Sequence, residues 1–327
     1  EAGCRGMGQQ DVDAARPPGR EPELPDAPPH FSLGVLEGVI PVVPIAPAQT
    51  HDAQTFPDID RIVHADAATR LRFLVTAVVV AKMAVILFLP WVMEHTKGRS
   101  DSLWFMTKAV LCTLPIAALV GSNNLSTAII LLGICAFLIF ISHPGYLPFL
   151  GIGGAGIGFI AVFLMMESYR LERLAIWRNP EAYEKGFQTI QGLYAIGSGR
   201  IFGCGLGKGL QKLGFVPEAQ NDMIFSIICE ELGLFGAISV ILIFMFMIYR
   251  FMVIAGNAPD LMGAMIVIGV MAHIAIQVIL NIAVVTNTIP NTGVTLPFIS
   301  YGGTSVMFLM LEMGMVLSVS NQIKLEQ

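Results

Sequence analysis

Between Gly186 and Gly236 the sequence reads GFQTIQGLYAIGSGRIFGCGLGKGLQKLGFVPEAQNDMIFSIICEELGLFG, and within it one carboxylate, Asp222, stands immediately ahead of a hydrophobic run. An aspartate at that junction can serve as a general base, or it can cap the helix that starts near Met223. Glu230 and Glu231 lie further along the same run, roughly 80° and 180° around a continuous helix from Asp222, so at most one shares its face. Asp222 and Glu231 are the candidates for a metal ion. The alternative for the glutamates is a structural salt bridge, with Lys82 as a candidate partner. Glycines at 197, 199, 203, 205, 207 and 209 permit close approach of backbone N–H groups to phosphate oxygens, with Lys208 and Lys212 supplying charge. The spacing lacks the lysine-hydroxyl ending of a P-loop, so alone it is a weak signal.

The same interval is basic, with Arg170, Arg173, Arg178, Lys185, Arg200, Lys208 and Lys212. A cationic pocket suits an anionic headgroup such as a lipid-linked phosphate or pyrophosphate; the alternative is that these side chains snorkel to phospholipid headgroups. Further on, Thr286–Tyr301 holds Pro290, Gly293 and Pro297 ahead of SYGG (Ser300–Gly303), the pattern of a stiff re-entrant loop able to wall a cavity. His273, Gln277 and Asn281 recur every fourth residue as a polar stripe on one helix face. Interhelical hydrogen bonding is the favoured reading of that stripe, and substrate contact the other.

These residues need a membrane scaffold. Of 327 residues 54% are hydrophobic and 13% charged, and a mean hydropathy of +0.69 excludes an ordinary soluble domain. Seven apolar blocks have spanning length: Phe73–Met93, Trp104–Val120, Leu125–Ser142, Leu147–Met166, Phe225–Arg250, Leu261–Val285 and Ser305–Val319. Uninterrupted runs such as AIILLGICAFLIFI are helical rather than alternating. The expected fold is therefore all-α, a polytopic membrane helix bundle of about seven transmembrane helices, with one large extracytoplasmic loop at about 167–224. Residues 1–70 are rich in Pro, Ala and Asp without sustained periodicity, and are expected to be disordered and separate from a membrane domain over 71–327. Lys97, Arg99, Arg250 and Lys324 sit in short segments that mark the cytoplasmic side, and alternation puts Gly121–Asn124, Glu167–Ile224 and Thr286–Ser300 outside. The five cysteines (Cys4, Cys112, Cys135, Cys204 and Cys229) are scattered without CxxC spacing and read as small apolar fillers, neither a metal site nor a disulfide framework. No ATP-binding motif is present, and no nucleic-acid partner is expected.

Six segments together carry a resemblance. GFQTIQ (Gly186–Gln191), AIGSG (Ala195–Gly199), GCGLGKGLQKL (Gly203–Leu213), PEAQNDMIF (Pro217–Phe225), EELG (Glu230–Gly233) and IPNTGVTLPFISYGGTS (Ile289–Ser305) resemble the motifs of the SEDS family, of the FtsW and RodA type. The resemblance implies a ten-helix bundle of which this chain matches the last seven, with the tract at 1–70 standing in place of the first three. It implies a membrane glycosyltransferase that polymerises lipid II, an undecaprenyl-pyrophosphate-linked disaccharide peptide, into peptidoglycan at the outer face of the bacterial cytoplasmic membrane. Division, elongation and sporulation all stay open. It further implies Asp222 as the catalytic base and Lys82, Arg173, Gln188, Lys208, Lys212, Glu218, Ser300 and Gly302 as substrate-binding residues. A divalent cation (Mg or Mn) and a class B penicillin-binding protein as partner follow from the same resemblance.

The chain departs from the family pattern at Thr76–Val79, which reads TAVV in place of Gln-Pro-Ser-Glu, at Gly192 in place of Ser, and at Arg200 in place of Gly. The chemistry itself asks little: a sugar hydroxyl attacks an anomeric carbon whose leaving group, a pyrophosphate, departs without protonation. A base and nearby cations suffice, unlike the two carboxylates of glycoside hydrolysis. Two other classes remain, a flippase for a lipid-linked precursor and an inactive scaffold that binds the penicillin-binding protein.

Overall fold

The computed structural model describes residues 79–95, 102–142 and 168–323, with 153–154, 156–158, 162 and 165 between them. The expectation of disorder over 1–70, and the loop cations Lys97, Arg99 and Lys324, lie outside those residues. The described chain forms α1 (residues 79–95), α2 (Ser102–Asn123), α3 (Leu125–Ser142), α4 (Ser168–Arg178), α5 (Phe187–Gly199), α6 (Ile224–Gly256), α7 (Leu261–Val285) and α8 (Gly303–Asn321). Every regular element among the described residues is helical, with short 3-10 turns at Pro180–Ala182, Glu184–Gly186 and Gln211–Leu213.

Four of these helices, α3, α6, α7 and α8, are long and apolar enough to cross a membrane. In hydrocarbon a backbone N–H has no water to turn to, so a helix is the form these runs must take. The protein is thus a multi-pass membrane protein. Its centre is α7, apolar nearly all round because neighbours cover it: α3, α6 and α8 all pack on it, and Ile274 and Val267 are fully buried. Ile86 of α1 lies over Gly269, and Ile276 over Gly133 of α3, small residues letting the helices approach. The outer face of α6, with Leu242, Ile243 and Phe246, is exposed as a lipid-facing surface would be.

The helices run up and down. At one end Ser142 of α3 meets the sulfurs of Met93 and Met265, each at 3.6 Å. At the other end Ser126 donates to the Thr292 carbonyl at 2.7 Å. The α2–α3 turn, the long segment 168–223 and the α7–α8 loop therefore gather at one end, the three segments grouped together by loop charge.

Asp260 caps α7 by accepting from the Gly263 N–H at 3.1 Å. Of the cysteines, Cys135 and Cys229 are buried free thiols and Cys112 is a half-buried one. Cys204 departs from the filler reading, being disulfide-bonded.

Candidate active site

Two loops are clamped together around Asp222. Three successive carbonyls, of Gln220, Asn221 and Asp222, are each taken by a donor from the α7–α8 side: the Tyr301 N–H at 2.9 Å, the Ser300 hydroxyl at 2.6 Å and the Asn281 amide at 2.8 Å. Asn281 also donates to the Val294 carbonyl at 2.7 Å, and Ser300 Oγ accepts from the Leu296 N–H at 2.7 Å. With its backbone fixed on every residue, the segment can aim only one way.

What it aims is Asp222, whose side chain is 8% exposed. The N-cap of α6 is Met223, without a side-chain hydrogen bond, so the capping alternative for Asp222 fails. Its carboxylate instead faces Gln188 of α5, with Nε2 at 3.4 Å from Oδ1 and 3.5 Å from Oδ2. Gln188 Oε1 accepts from Asn291 at 3.3 Å, and the Asn291 carbonyl accepts from Arg173 of α4 at 3.2 Å. Burial pushes the Asp222 carboxyl up to about 6, and the nearby Glu218 charge adds to that, while the Gln188 hydrogen bond and the Arg173 charge pull against it. Glu218 itself sits at a positive φ of 53° and accepts from the Asn221 amide.

Asp222, Gln188, Arg173, Glu218 and Ser300 thus come together, and Gly302 ends the same wall where α8 begins. The Ser300 hydroxyl is fully engaged in holding the two loops. Asn291 was not singled out in the sequence, and no periodicity marks it; its signal is only its place between Pro290 and Gly293 in the stiff loop.

The glycine-rich stretch folds onto the glutamates of its own helix. Gly233, at φ 66° and ψ −159°, breaks α6. Leu234 then donates to the Arg200 carbonyl and Phe235 to that of Ile201, which frees the carbonyls of Glu230 and Glu231 for the N–H groups of Cys204 and Gly205. A Cβ on Gly203 would lie 2.1 Å from the Glu231 carbonyl oxygen, so only glycine fits this splice.

The side chains repeat the arrangement. Glu230, 3% exposed, accepts from the N–H groups of Leu210 at 2.8 Å and Gln211 at 3.2 Å. Glu231 accepts from the Gly207 N–H at 3.0 Å and pairs with Lys212 at 2.6 Å. The salt bridge expected for the glutamates exists, with Lys212 rather than Lys82. Backbone donors read as a phosphate cradle are in part spent on these carboxylates, while Lys208 is exposed on the same loop.

Lys82 lies on α1 within the bundle, in electrostatic range of Glu312 and His273. His273 Nδ1 meets Glu312 Oε2 at 2.9 Å, both side chains almost wholly buried. Glu312 was missed in the sequence, although one carboxylate inside the apolar run MFLMLEMGM is a signal, because an intramembrane charge requires a partner. The polar stripe divides: His273 bonds helix to helix, whereas Gln277 donates to the Thr295 carbonyl at 3.0 Å and so, like Asn281, ties helix to loop.

Among the described residues no three His, Cys, Asp or Glu side chains group as a metal cluster. The donors that fit a hard divalent cation are Asp222 and Glu218, whose charges act on one another. Mg²⁺ commonly takes one or two carboxylates together with substrate phosphate oxygens. Glu231, nine residues and roughly 13 Å further along the chain if helical and committed to Lys212, does not fit with them.

Comparison with known proteins gives a consistent family. The cell cycle protein family of FtsW, RodA and SpoVE matches residues 77–325. Stage V sporulation protein E of Bacillus subtilis (strain 168) is 41% identical over 199 residues, 60% of this chain and 54% of that protein. The probable peptidoglycan glycosyltransferase FtsW of Trichlorobacter lovleyi is 34% identical over 248 residues, 75% of this chain and 65% of that one. The chain thus spans between about half and two thirds of these relatives' length. Among solved structures, one from a study of the structural coordination of polymerization and crosslinking by a peptidoglycan synthase complex superposes with a TM-score of 0.62 at 24% identity, covering 76% of this chain and 70% of that one. The rod shape determining protein RodA of Thermus thermophilus gives 0.53 at 23% identity, over 76% and 66%. At those identities the superpositions speak to the fold.

Proposed function

This chain belongs to the FtsW, RodA and SpoVE family of cell cycle proteins, and from that premise we propose that it acts as a glycosyltransferase polymerising lipid II into peptidoglycan strands. The observation that carries the reading is Asp222, buried, free of any capping role and poised near 6, within the segment PEAQNDMIF. At neutral pH such a carboxylate is ionised yet basic enough to take a proton from an attacking hydroxyl. Gln188 orients it, and Asn281, Ser300 and Tyr301 fix the backbone beneath it.

The sugar hydroxyl loses its proton to Asp222 as its oxygen bonds the anomeric carbon, and the carbon–oxygen bond to undecaprenyl pyrophosphate breaks with its electrons on the pyrophosphate. In this reading Arg173, which donates to the Asn291 carbonyl beside the site, and Lys208, exposed on the glycine loop, would supply cations for that charge. Lys212 stiffens the glycine loop through Glu231, and Gly302 and Ser300 belong to the pocket wall. A divalent cation such as Mg²⁺ or Mn²⁺ held by Asp222 and Glu218 would neutralise charge on the leaving pyrophosphate.

The site end of the bundle faces outward in this reading, across the bacterial cytoplasmic membrane, since the short cationic segments of the sequence alternate with the loops that build the site. A class B penicillin-binding protein is the proposed partner, a reading supported by one solved neighbour, which comes from a study of polymerization and crosslinking by a peptidoglycan synthase complex. The test is direct: the purified chain, with labelled lipid II, divalent cation and the partner, should yield glycan strands resolved on a gel. Movement of lipid II between leaflets without strand formation would favour a flippase.

A further inference from the structure

The glycine loop between α5 and α6 is built inside out for a segment in water. Phe202, Leu206, Leu210 and Leu213 are 78%, 79%, 54% and 70% exposed, with Ile201 and Phe215 exposed beside them. So many large apolar side chains on the outside of one short loop mark a contact surface. The polar groups turn the other way. The N–H groups of Cys204 and Gly205 reach the carbonyls of Glu230 and Glu231, that of Gly207 reaches the Glu231 carboxylate, and those of Leu210 and Gln211 reach the Glu230 carboxylate. Backbone donors satisfied from within, under apolar side chains that face out, are what hydrocarbon requires of a chain and water does not.

The level of the loop follows from the helices beneath it. α6 and α7 pack side by side and are joined by the short turn at 257–260. From that turn the 25 residues of α7 rise about 37 Å, and α6, followed back to its break at Gly233, rises about 34 Å. Gly233 is therefore level with the site end of α7, and either rise already covers the roughly 30 Å of hydrocarbon. The loop is spliced to α6 at that point, where Leu234 donates to the Arg200 carbonyl and Phe202 stacks on Phe235 with ring centroids 5.4 Å apart. Phe235 opens the exposed apolar face of α6 that runs on through Ile238, Leu242 and Phe246. The loop thus continues a lipid-facing surface at its boundary.

Charge agrees with that level. Residues 200–217 hold Arg200, Lys208 and Lys212 and no carboxylate. Lys212 is paired with Glu231, while Arg200 and Lys208 are exposed.

We propose that residues 200–215 form a membrane-docking loop whose partner is anionic phospholipid, with Phe202, Leu206, Leu210 and Leu213 among the acyl chains of the leaflet on the site's side and Arg200 and Lys208 at its phosphates. Interfacial elements of this composition bury their apolar side roughly 5–10 Å into the boundary between headgroups and chains, and their cations are drawn to anionic headgroups. The loop then lies at the level of a lipid-borne pyrophosphate. That consequence rests on the proposed activity; the docking does not.

The experiment uses the full chain, one copy per lipid nanodisc, and reads the fluorescence that Leu206→Trp or Leu213→Trp adds to that of the parent's own tryptophans. Phospholipid brominated near the headgroup end of its acyl chains should quench the added emission by about half or more, and phospholipid brominated near the chain ends should quench it less. No quenching by either lipid overturns the proposal and leaves the patch to a second copy or a protein partner, neither of which the disc contains. Brominated phosphatidylglycerol should quench about twofold more than brominated phosphatidylcholine, a difference that Arg200→Gln combined with Lys208→Gln removes. Equal quenching in the two lipids overturns the assignment to anionic phospholipid. Strand formation does not enter this readout, so failure of Asp222 as the base would appear separately, as full polymerisation by Asp222→Asn.

Discussion

Gln188 and Asp222 face one another across the pocket, with the amide nitrogen 3.4 and 3.5 Å from the two carboxylate oxygens. Both distances lie at the long limit of an N–H···O bond, so the carboxylate is steered rather than saturated and keeps lone pairs for an incoming proton. The amide hydrogen bond also holds the Asp222 carboxyl down against the effect of burial. Gln188→Leu should therefore lower kcat by about tenfold through misorientation, and shift the acidic limb of the pH–rate profile to higher pH. An unmoved limb in a folded variant would show that Gln188 does not touch the base electrostatically.

Ionised Asp222 is the active form, so polymerisation should fall about tenfold per pH unit below the carboxyl's value of about 6. Stability should move the other way. A carboxyl raised in the folded state from 3.8 to about 6 makes the folded protein hold a proton that the unfolded chain releases between those values. The penalty for burying the charge is thus fully present above about pH 6 and disappears as pH falls toward 3.8. Two units at about 1.4 kcal/mol each put that penalty on the order of 3 kcal/mol. Thermal unfolding in detergent should show Asp222→Asn more stable than the parent at pH 7.5 and nearly equal to it at pH 4.

Arg200 ends α5 at φ 47° and ψ −140°, a conformation that glycine adopts without strain. Arg200→Gly should raise stability by about 1 kcal/mol despite the loss of a charge. The opposite change nearby, Gly203→Ala, should disrupt the splice into α6, visible as new proteolysis between residues 200 and 215. Resistance equal to the parent would mean that the loop does not depend on that close approach.

Lys212 and Glu231 should be coupled by about 1 kcal/mol in a double-mutant cycle of Lys212→Met and Glu231→Gln, read by unfolding, because their side chains are only 33% and 14% exposed. Lys208→Ala, by contrast, should leave stability unchanged and raise KM for lipid II. A KM effect confined to Lys212→Met would exchange the two roles.

Much of this was legible in the sequence, for reasons that the residues make plain. Apolar runs such as Leu125–Ser142 and Leu261–Val285 have one available form in a membrane, and Asp222 stood out because it meets such a run head on. Pairings between distant loops left no such trace. Asn291 reaches Gln188 across 103 residues, and Ser126 reaches Thr292 across 166, contacts that no local period encodes. The glycines were seen, but their partners were sought outside the chain. The break at Gly233 sets free two carbonyls of α6 that accept instead from the glycine loop, and that break could not be foreseen from a run that reads as one helix.

Orientation rests on Lys97, Arg99 and Lys324. In cells, Lys208→Cys should react with an impermeant maleimide from outside and Arg99→Cys should not. The reverse pattern would place the Asp222 pocket on the inner side.

The central claim is that Asp222 is the general base, and the measurement that tests it most directly is strand formation from labelled lipid II by Asp222→Asn, in a preparation whose parent polymerises. Asparagine keeps the size of the side chain and can still hydrogen-bond Gln188, so the variant should fold and bind substrate. Its rate should fall by about a hundred- to ten-thousandfold. Polymerisation at the parent rate would contradict the account and leave Asp222 a buried carboxylate with no part in the chemistry.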